Sequence, residues 1–302
     1  MINSHHFTYT PKGPFDLLHQ NQYFNGWPVI DEGQKLVMAF PVEGWRGSAA
    51  VTLRQSHSGE LEGEVFGPSE IWKKAQEQAL AAMSLDEDAS EWPKVGEQDP
   101  FIGQLQETYK YMRPTLFHSP YEAAAAFMIG HRISIHQARK LRQQMAEESG
   151  ESIIVNGQPF YAFPSPSQLL KITEFKGLND TKIERLHGIA QAALDGWLDR
   201  DYLRALDEEA AIQKLETLPG VGPFFSQGIL YRGAGLKDGF THDDVTHHAI
   251  QMTYHLPKDV TAEALVAVTD PWRPYRMWVV VLMHVWLRAS GKLPKRTYNP
   301  KV

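Results

Sequence analysis

Residues 218–223 read Leu-Pro-Gly-Val-Gly-Pro, and a helical pattern enters this segment and another leaves it. No other stretch limits the fold as much. Gly220 and Gly222 allow backbone conformations that a side chain would forbid. Pro223 stands where a helix begins, since its missing N–H costs nothing there. The segment therefore predicts two helices, Glu208–Leu218 and Pro223–Ala234, joined by a tight turn. The first N–H groups of the second helix lack intrahelical partners and carry the positive end of the helix dipole, and bare glycines let a phosphate come close. An ordinary helix–helix turn remains the alternative, because Gly-x-Gly alone does not decide. A Rossmann-type phosphate loop does not fit, because a helix precedes the turn and no third glycine follows in register.

The rest of the chain divides in two. Leu36–Phe40, Ala49–Leu53 and Leu61–Phe66 are runs of strand length, punctuated by Gly44, Gly47, Gly59 and Gly67. Ser56-His57-Ser58-Gly59 reads as a hairpin turn. From Ser69 onward the pattern is helical, with candidates at Ile71–Met83, Asp180–Leu194, Asp244–Thr253, Ala262–Val268 and Tyr275–Ala289. Ser119-Pro120-Tyr121-Glu122 has the pattern of a capping box, and Ser165-Pro166-Ser167-Gln168 repeats it. The expected class is α+β, mainly α: a small N-terminal antiparallel β domain, then an all-helical core. The expected boundaries are 1–98, ending in an acidic linker or exposed loop at Asp86–Asp99, and 99–302.

Charge and composition narrow the function. The chain has 302 residues, a net charge of −6 and no cysteine, which excludes disulfides, thiolate zinc sites, Cys-ligated clusters and cysteine nucleophiles. Residues 60–98 hold ten acids and three lysines, whereas Pro271–Val302 holds seven Lys/Arg and no acid. An acidic chain can thus present a basic face to phosphates. The longest apolar run, Met277–Leu287, is 11 residues, too short for a bilayer. No targeting signal is expected, so the expected location is the cytoplasm, near the nucleoid in a bacterium, or the nucleus in a eukaryote.

Asp244 lies 22 residues after Gly222, within Phe240-Thr241-His242-Asp243-Asp244-Val245 and at the start of a predicted helix. An Asp there is also a routine N-cap, and the two roles are compatible. Pro219-Gly220-Val221-Gly222 followed by Asp244 resembles the signature of the helix-hairpin-helix (HhH-GPD) DNA glycosylase superfamily, most of all its 3-methyladenine DNA glycosylase II branch. Ala126–Ser134 resembles the segment of that branch that enters the DNA, Gly177–Glu184 its helix before the hairpin, and Trp272–Arg276 through Met283–Trp286 its C-terminal helix. The resemblance covers roughly residues 115–290, and more weakly the β-rich part.

The resemblance implies a monofunctional glycosylase of base excision repair that flips a damaged, alkylated purine from duplex DNA and hydrolyses its N-glycosidic bond. Asp244 is then the catalytic residue, stabilising an oxocarbenium-like sugar and orienting water. Pro219, Gly220, Val221, Gly222 and Arg132 bind DNA, and Trp286, Phe224 and His131 line the base pocket. Phe224 occupies the position of the lyase lysine, so no Schiff base is expected. Gly228 stands where an aromatic pocket residue is expected, and Arg132 where an apolar wedge is common. No cofactor is implied beyond a monovalent cation at the hairpin, and the protein is expected to be a monomer. An aromatic pocket suits cationic alkylated bases.

Three other readings compete. The hairpin could be a non-catalytic DNA-binding module. The lesion could be uracil, hypoxanthine or an oxidised base. His242, His247 and His248 with the two aspartates could hold a metal, although adjacent histidines diverge by about 100° on a helix.

Overall fold

The computed structural model describes residues 4–22, 28–30, 35–257 and 259–294. The N-terminal part contains β1 (Ser4–Tyr9), α1 (Leu17–Gln22), β2 (Val29–Ile30), β3 (Lys35–Pro41), β4 (Ser48–Gln55) and β5 (Leu61–Phe66). The five strands form one antiparallel sheet in the order β1-β5-β4-β3-β2. The turn at 56–59 closes with Gly59 N–H donating to the Ser56 carbonyl, and Gly59 takes φ +88°, a left-handed value that favours glycine. One face of the sheet packs on α2 (Trp72–Ala82), burying Met38, Phe40, Val51 and Leu61 against Ala75 and Ala79.

The helical body follows: α3 (Trp92–Gln98), α4 (Pro100–Thr108), α5 (Pro120–Gly130) and α6 (Ile135–Ser149). Ser119 caps α5 through the Glu122 N–H, but the Glu122 carboxylate does not return to Ser119. It turns inward to His118 at 2.8 Å and Arg142 at 3.0 Å. The His118 ring stacks on Phe40 of β3 at 4.3 Å, so this ion pair joins the helical body to the sheet. A short hairpin, β6 (Ser152–Val155) and β7 (Gln158–Tyr161), interrupts the helices and corrects the all-helical expectation for 99–302. Its Val155, Ile153 and Phe160 cover the second face of the sheet.

Beyond it lie α7 (Pro166–Leu169), α8 (Asp180–Leu194), α9 (Arg200–Ala205), α10 (Glu208–Glu216), α11 (Pro223–Ile229), α12 (Asp244–Tyr254), α13 (Ala262–Val268) and α14 (Arg276–Ala289). Asn179 caps α8 by accepting the Lys182 N–H. α14 is buried on nearly every side and forms the axis of the body. No helix among the described residues is long and apolar enough to cross a membrane.

The acidic stretch 86–99 is not a linker or exposed loop. It contains α3, whose Trp92 is fully buried in the helical core. Asp86 pairs with Arg200 at 2.7 Å, and Glu87 with Arg204 and Lys237. Asp99 caps α4 and accepts from Tyr254 and Trp272. Arg113 is fully buried and donates to the carbonyls of Lys12, Pro14 and Ser84, and burial pushes its pKa down to about 10.

Candidate active site

The hairpin forms as the sequence predicts. Leu218 and Val221 are buried and pin the turn, and the Val221 N–H donates to the Leu218 carbonyl at 3.0 Å. Gly220 has φ +82°, and a Cβ there would fall 2.7 Å from Arg185 Cδ. The backbone therefore favours glycine, whereas the flexible Arg185 side chain could move aside. Gly222 is different: a Cβ would meet nothing within 4 Å. Its bareness leaves an open ledge at the exposed N-terminus of α11, where the first-turn amides have no helical partner. Residues 217–222 carry no carboxylate.

The two aspartates divide their work. Asp243 is the N-cap of α12: Oδ1 accepts the N–H groups of Val245 and Thr246, and Oδ2 accepts the hydroxyls of Thr241 and Thr246. Burial opposes its charge, yet these bonds hold its carboxyl below the usual range. Asp244 is the first residue of the helix, exposed, and accepts no hydrogen bond from any described residue. With the cap already supplied, the Asp244 carboxylate is uncommitted. The segment before it is tied to the hairpin, since the His242 N–H donates to Gln227 Oε1 on α11 at 3.3 Å.

An open aromatic cluster lies where α11 packs on α5. Phe224 is half exposed, Phe225 lies 5.5 Å from Phe127, and His131 meets Phe225 edge-on at 5.6 Å. Phe127 accounts for Gly228. A Cβ at Gly228 would lie 2.7 Å from the Phe127 ring, so an aromatic ring from α5 fills the space beside residue 228. Trp286 makes no ring contact with this cluster among the described residues. Its ring packs edge-on against Phe101 of α4, under the Lys292 ammonium. His284 of α14 reaches α12 instead, 3.0 Å from the hydroxyl of Thr246, which in turn bonds Asp243.

Arg132 tips the loop after α5, exposed and with φ +60°. The Lys182 ammonium braces that loop by donating to the carbonyls of Ile129 and His131. A cavity of about 440 Å³ beside it is lined by His131, Arg132, Ile133, Lys182 and Arg185, among others. Burial, then Arg132, Lys182 and Arg185, push the His131 pKa down, which marks an electropositive surface. The basic C-terminus contributes less than its composition suggests. Arg273 and Arg276 are both tied to Asp238 at 2.6 Å, and Lys295, Arg296 and Lys301 lie outside the described residues.

No lysine stands at the start of α11. Lys214 lies over Trp197, and Lys237 pairs with Glu87 at 2.8 Å. His242 and His247 contact each other at 3.2 Å. Among the described residues no group of three His, Asp or Glu side chains is placed to hold a metal ion.

No family model matches the chain. Curated relatives do. A DNA-3-methyladenine glycosylase of Bacillus subtilis is 24% identical over 227 residues, 72% of this chain and 74% of that protein. DNA-3-methyladenine glycosylase 2 of Escherichia coli is 28% identical over 171 residues, 55% of this chain but only 56% of that protein. Among solved structures, a 3-methyladenine DNA glycosylase from Archaeoglobus fulgidus has a TM-score of 0.78 at 20% identity, covering 94% of this chain and 98% of that one. An 8-oxoguanine glycosylase/lyase of Clostridium acetobutylicum, in complex with DNA, has a TM-score of 0.68 at 17% identity, covering 96% and 98%. The chain thus has the fold of the helix-hairpin-helix DNA glycosylases. The two curated relatives, at 24% and 28% identity, are both DNA-3-methyladenine glycosylases.

Proposed function

We propose that this protein is a monofunctional DNA glycosylase that releases alkylated purines from duplex DNA, acting as a monomer. The observation that carries the reading is the aspartate doublet: Asp243 takes the whole capping role and leaves the Asp244 carboxylate free at an exposed helix start. The hairpin tied to it offers backbone amides to a phosphate. Those contacts position the duplex and carry no base information. The cationic loop around Arg132 lies beside the aromatic cluster, a suitable wall for a base taken out of the stack.

In the reaction the C1′–N bond breaks and its electron pair leaves with the base. An alkylated purine carrying positive charge leaves as a neutral molecule. The sugar becomes oxocarbenium-like, and the Asp244 carboxylate stabilises that cation. Water forms the new C1′–O bond and passes its proton to the carboxylate. With Phe224 at the start of α11, no side-chain amine there competes with water, so the product is an abasic site and an unbroken strand.

The test is release of free base from methylated duplex DNA, read by mass spectrometry, with strand nicking followed without alkali. Wild type is expected to release methylated purines without nicking. Asp244→Asn is expected to bind DNA and to release base about a thousandfold more slowly. Release of uracil, hypoxanthine or 8-oxoguanine instead would keep Asp244 and replace the substrate. Binding with no release of any base would leave only a DNA-binding module.

A further inference from the structure

His284 is a polar side chain that the mechanism above does not use, and its surroundings fix its chemistry. The Thr246 hydroxyl lies 2.8 Å from Asp243 Oδ2 and 3.0 Å from His284 Nε2. Asp243 is ionised and can only accept, so the single hydroxyl proton goes to it. Thr246 Oγ1 must then accept from His284, which places the imidazole proton on Nε2. Burial, reinforced by Arg232 and Arg288 and opposed by Asp243, pushes the His284 pKa down to about 4, so the ring is neutral near pH 7. Its Nδ1 is left as an acceptor with no partner among the described residues, on a ring that is not fully buried.

We propose that His284 is a specificity-determining residue of this site, its Nδ1 accepting a hydrogen bond from the exocyclic amino group of an extruded adenine-type base. The proposal rests on the glycosylase reading above. The relay Asp243–Thr246–His284 holds the ring in the accepting tautomer, and its first member, Asp243, directly precedes Asp244 in the chain. An adenine derivative presents N–H at purine position 6. Hypoxanthine presents a carbonyl oxygen there, which sets lone pair against lone pair. A site built around one such bond rejects the analogue that lacks the donor.

The test is single-turnover release of 3-methyladenine from methylated duplex and of hypoxanthine from a defined duplex, by wild type, His284→Phe and His284→Gln. His284→Phe is expected to lower the 3-methyladenine to hypoxanthine rate ratio about tenfold, the factor one neutral hydrogen bond supplies. His284→Gln, which keeps an acceptor, is expected to recover part of it. If hypoxanthine is not released at all, the same tenfold loss is read on 3-methyladenine alone, at an unchanged melting temperature. Nitrogen-15 NMR of the wild-type ring is expected to show the proton on Nε2. A ratio unmoved within twofold, an equal loss on both bases, or a proton on Nδ1 overturns this proposal alone. Wild type that releases no base overturns the glycosylase reading, and this proposal with it.

Discussion

The acidic segment 86–99 and the surface around Asp244 treat charge in opposite ways. In the first, Asp86, Glu87 and Asp99 are each held by cations, indole N–H or helix amides. Their work is to bind α3 and α4 to the body. In the second, Asp244, Arg132 and the amides at the start of α11 face solvent with nothing to hold. The difference separates polar groups that build the molecule from those available to a ligand. It also explains why a segment rich in acid is not a solvated loop: its partners come from α9 and from residues 237–272, far along the chain.

The contrast can be broken most directly at its two extremes. Asp244→Asn is expected to lower the single-turnover excision rate by about a thousandfold, within the usual range for a lost catalytic carboxylate, with no change in melting temperature. An equal loss of stability would place Asp244 among the building groups. The next effect is pH-dependent. His284 is depressed to about 4 in the folded protein, against 6.5 for the ordinary side chain. The unfolded chain therefore binds the proton more readily. The stability is present above pH 6.5 and is lost as pH falls toward 4, by about 3 kcal/mol in all. Denaturant midpoints of wild type and His284→Phe, compared from pH 7 to pH 4.5, should diverge in that sense.

Asp99→Asn should do the reverse of Asp244→Asn. It is expected to cost about 2 kcal/mol of stability, because the amide sets an NH2 donor against the Tyr254 hydroxyl and Trp272 N–H that Oδ2 now accepts, while Oδ1 still caps α4 and the surviving fold still excises. Thermal unfolding beside an excision assay checks both halves. The smallest effect is the sharpest. Gly222→Val puts atoms where the free protein has open space. Duplex affinity should fall by about tenfold, equally for damaged and undamaged DNA, with the melting temperature unmoved. Lesion-selective loss would contradict a phosphate contact.

Much of this was legible in the residues because local rules govern it. Asn179 caps α8, and Pro223 opens α11, where their chemistry demands. The sheet's central strands follow from their runs of apolar residues. The missed hairpin had a signal as well: Asn156 and Gly157, at φ +50° and +80°, form the kind of turn that Asn-Gly favours. Other features had none. Either aspartate of the doublet could cap a helix, and only the positions of Thr241 and Thr246 decide between them. Trp286 and His284 lie on α14, which is apolar nearly all round, so periodicity cannot say which side meets α12. Phe127 can stand in for a side chain at Gly228 only because α5 and α11 touch, and that contact is tertiary.

Arg113 carries a last consequence. Its guanidinium lies in the core with carbonyl oxygens of residues 12, 14, 84 and 87 as its partners. Two of those oxygens belong to the N-terminal arm. Trimming the chain past Pro14, by protease or by design, would remove more than an edge strand: it would strand a positive charge beneath Trp278 with half its acceptors gone. The arm is thus a plug for the helical body, and the boundary between the two parts is not a place where the protein can be cut.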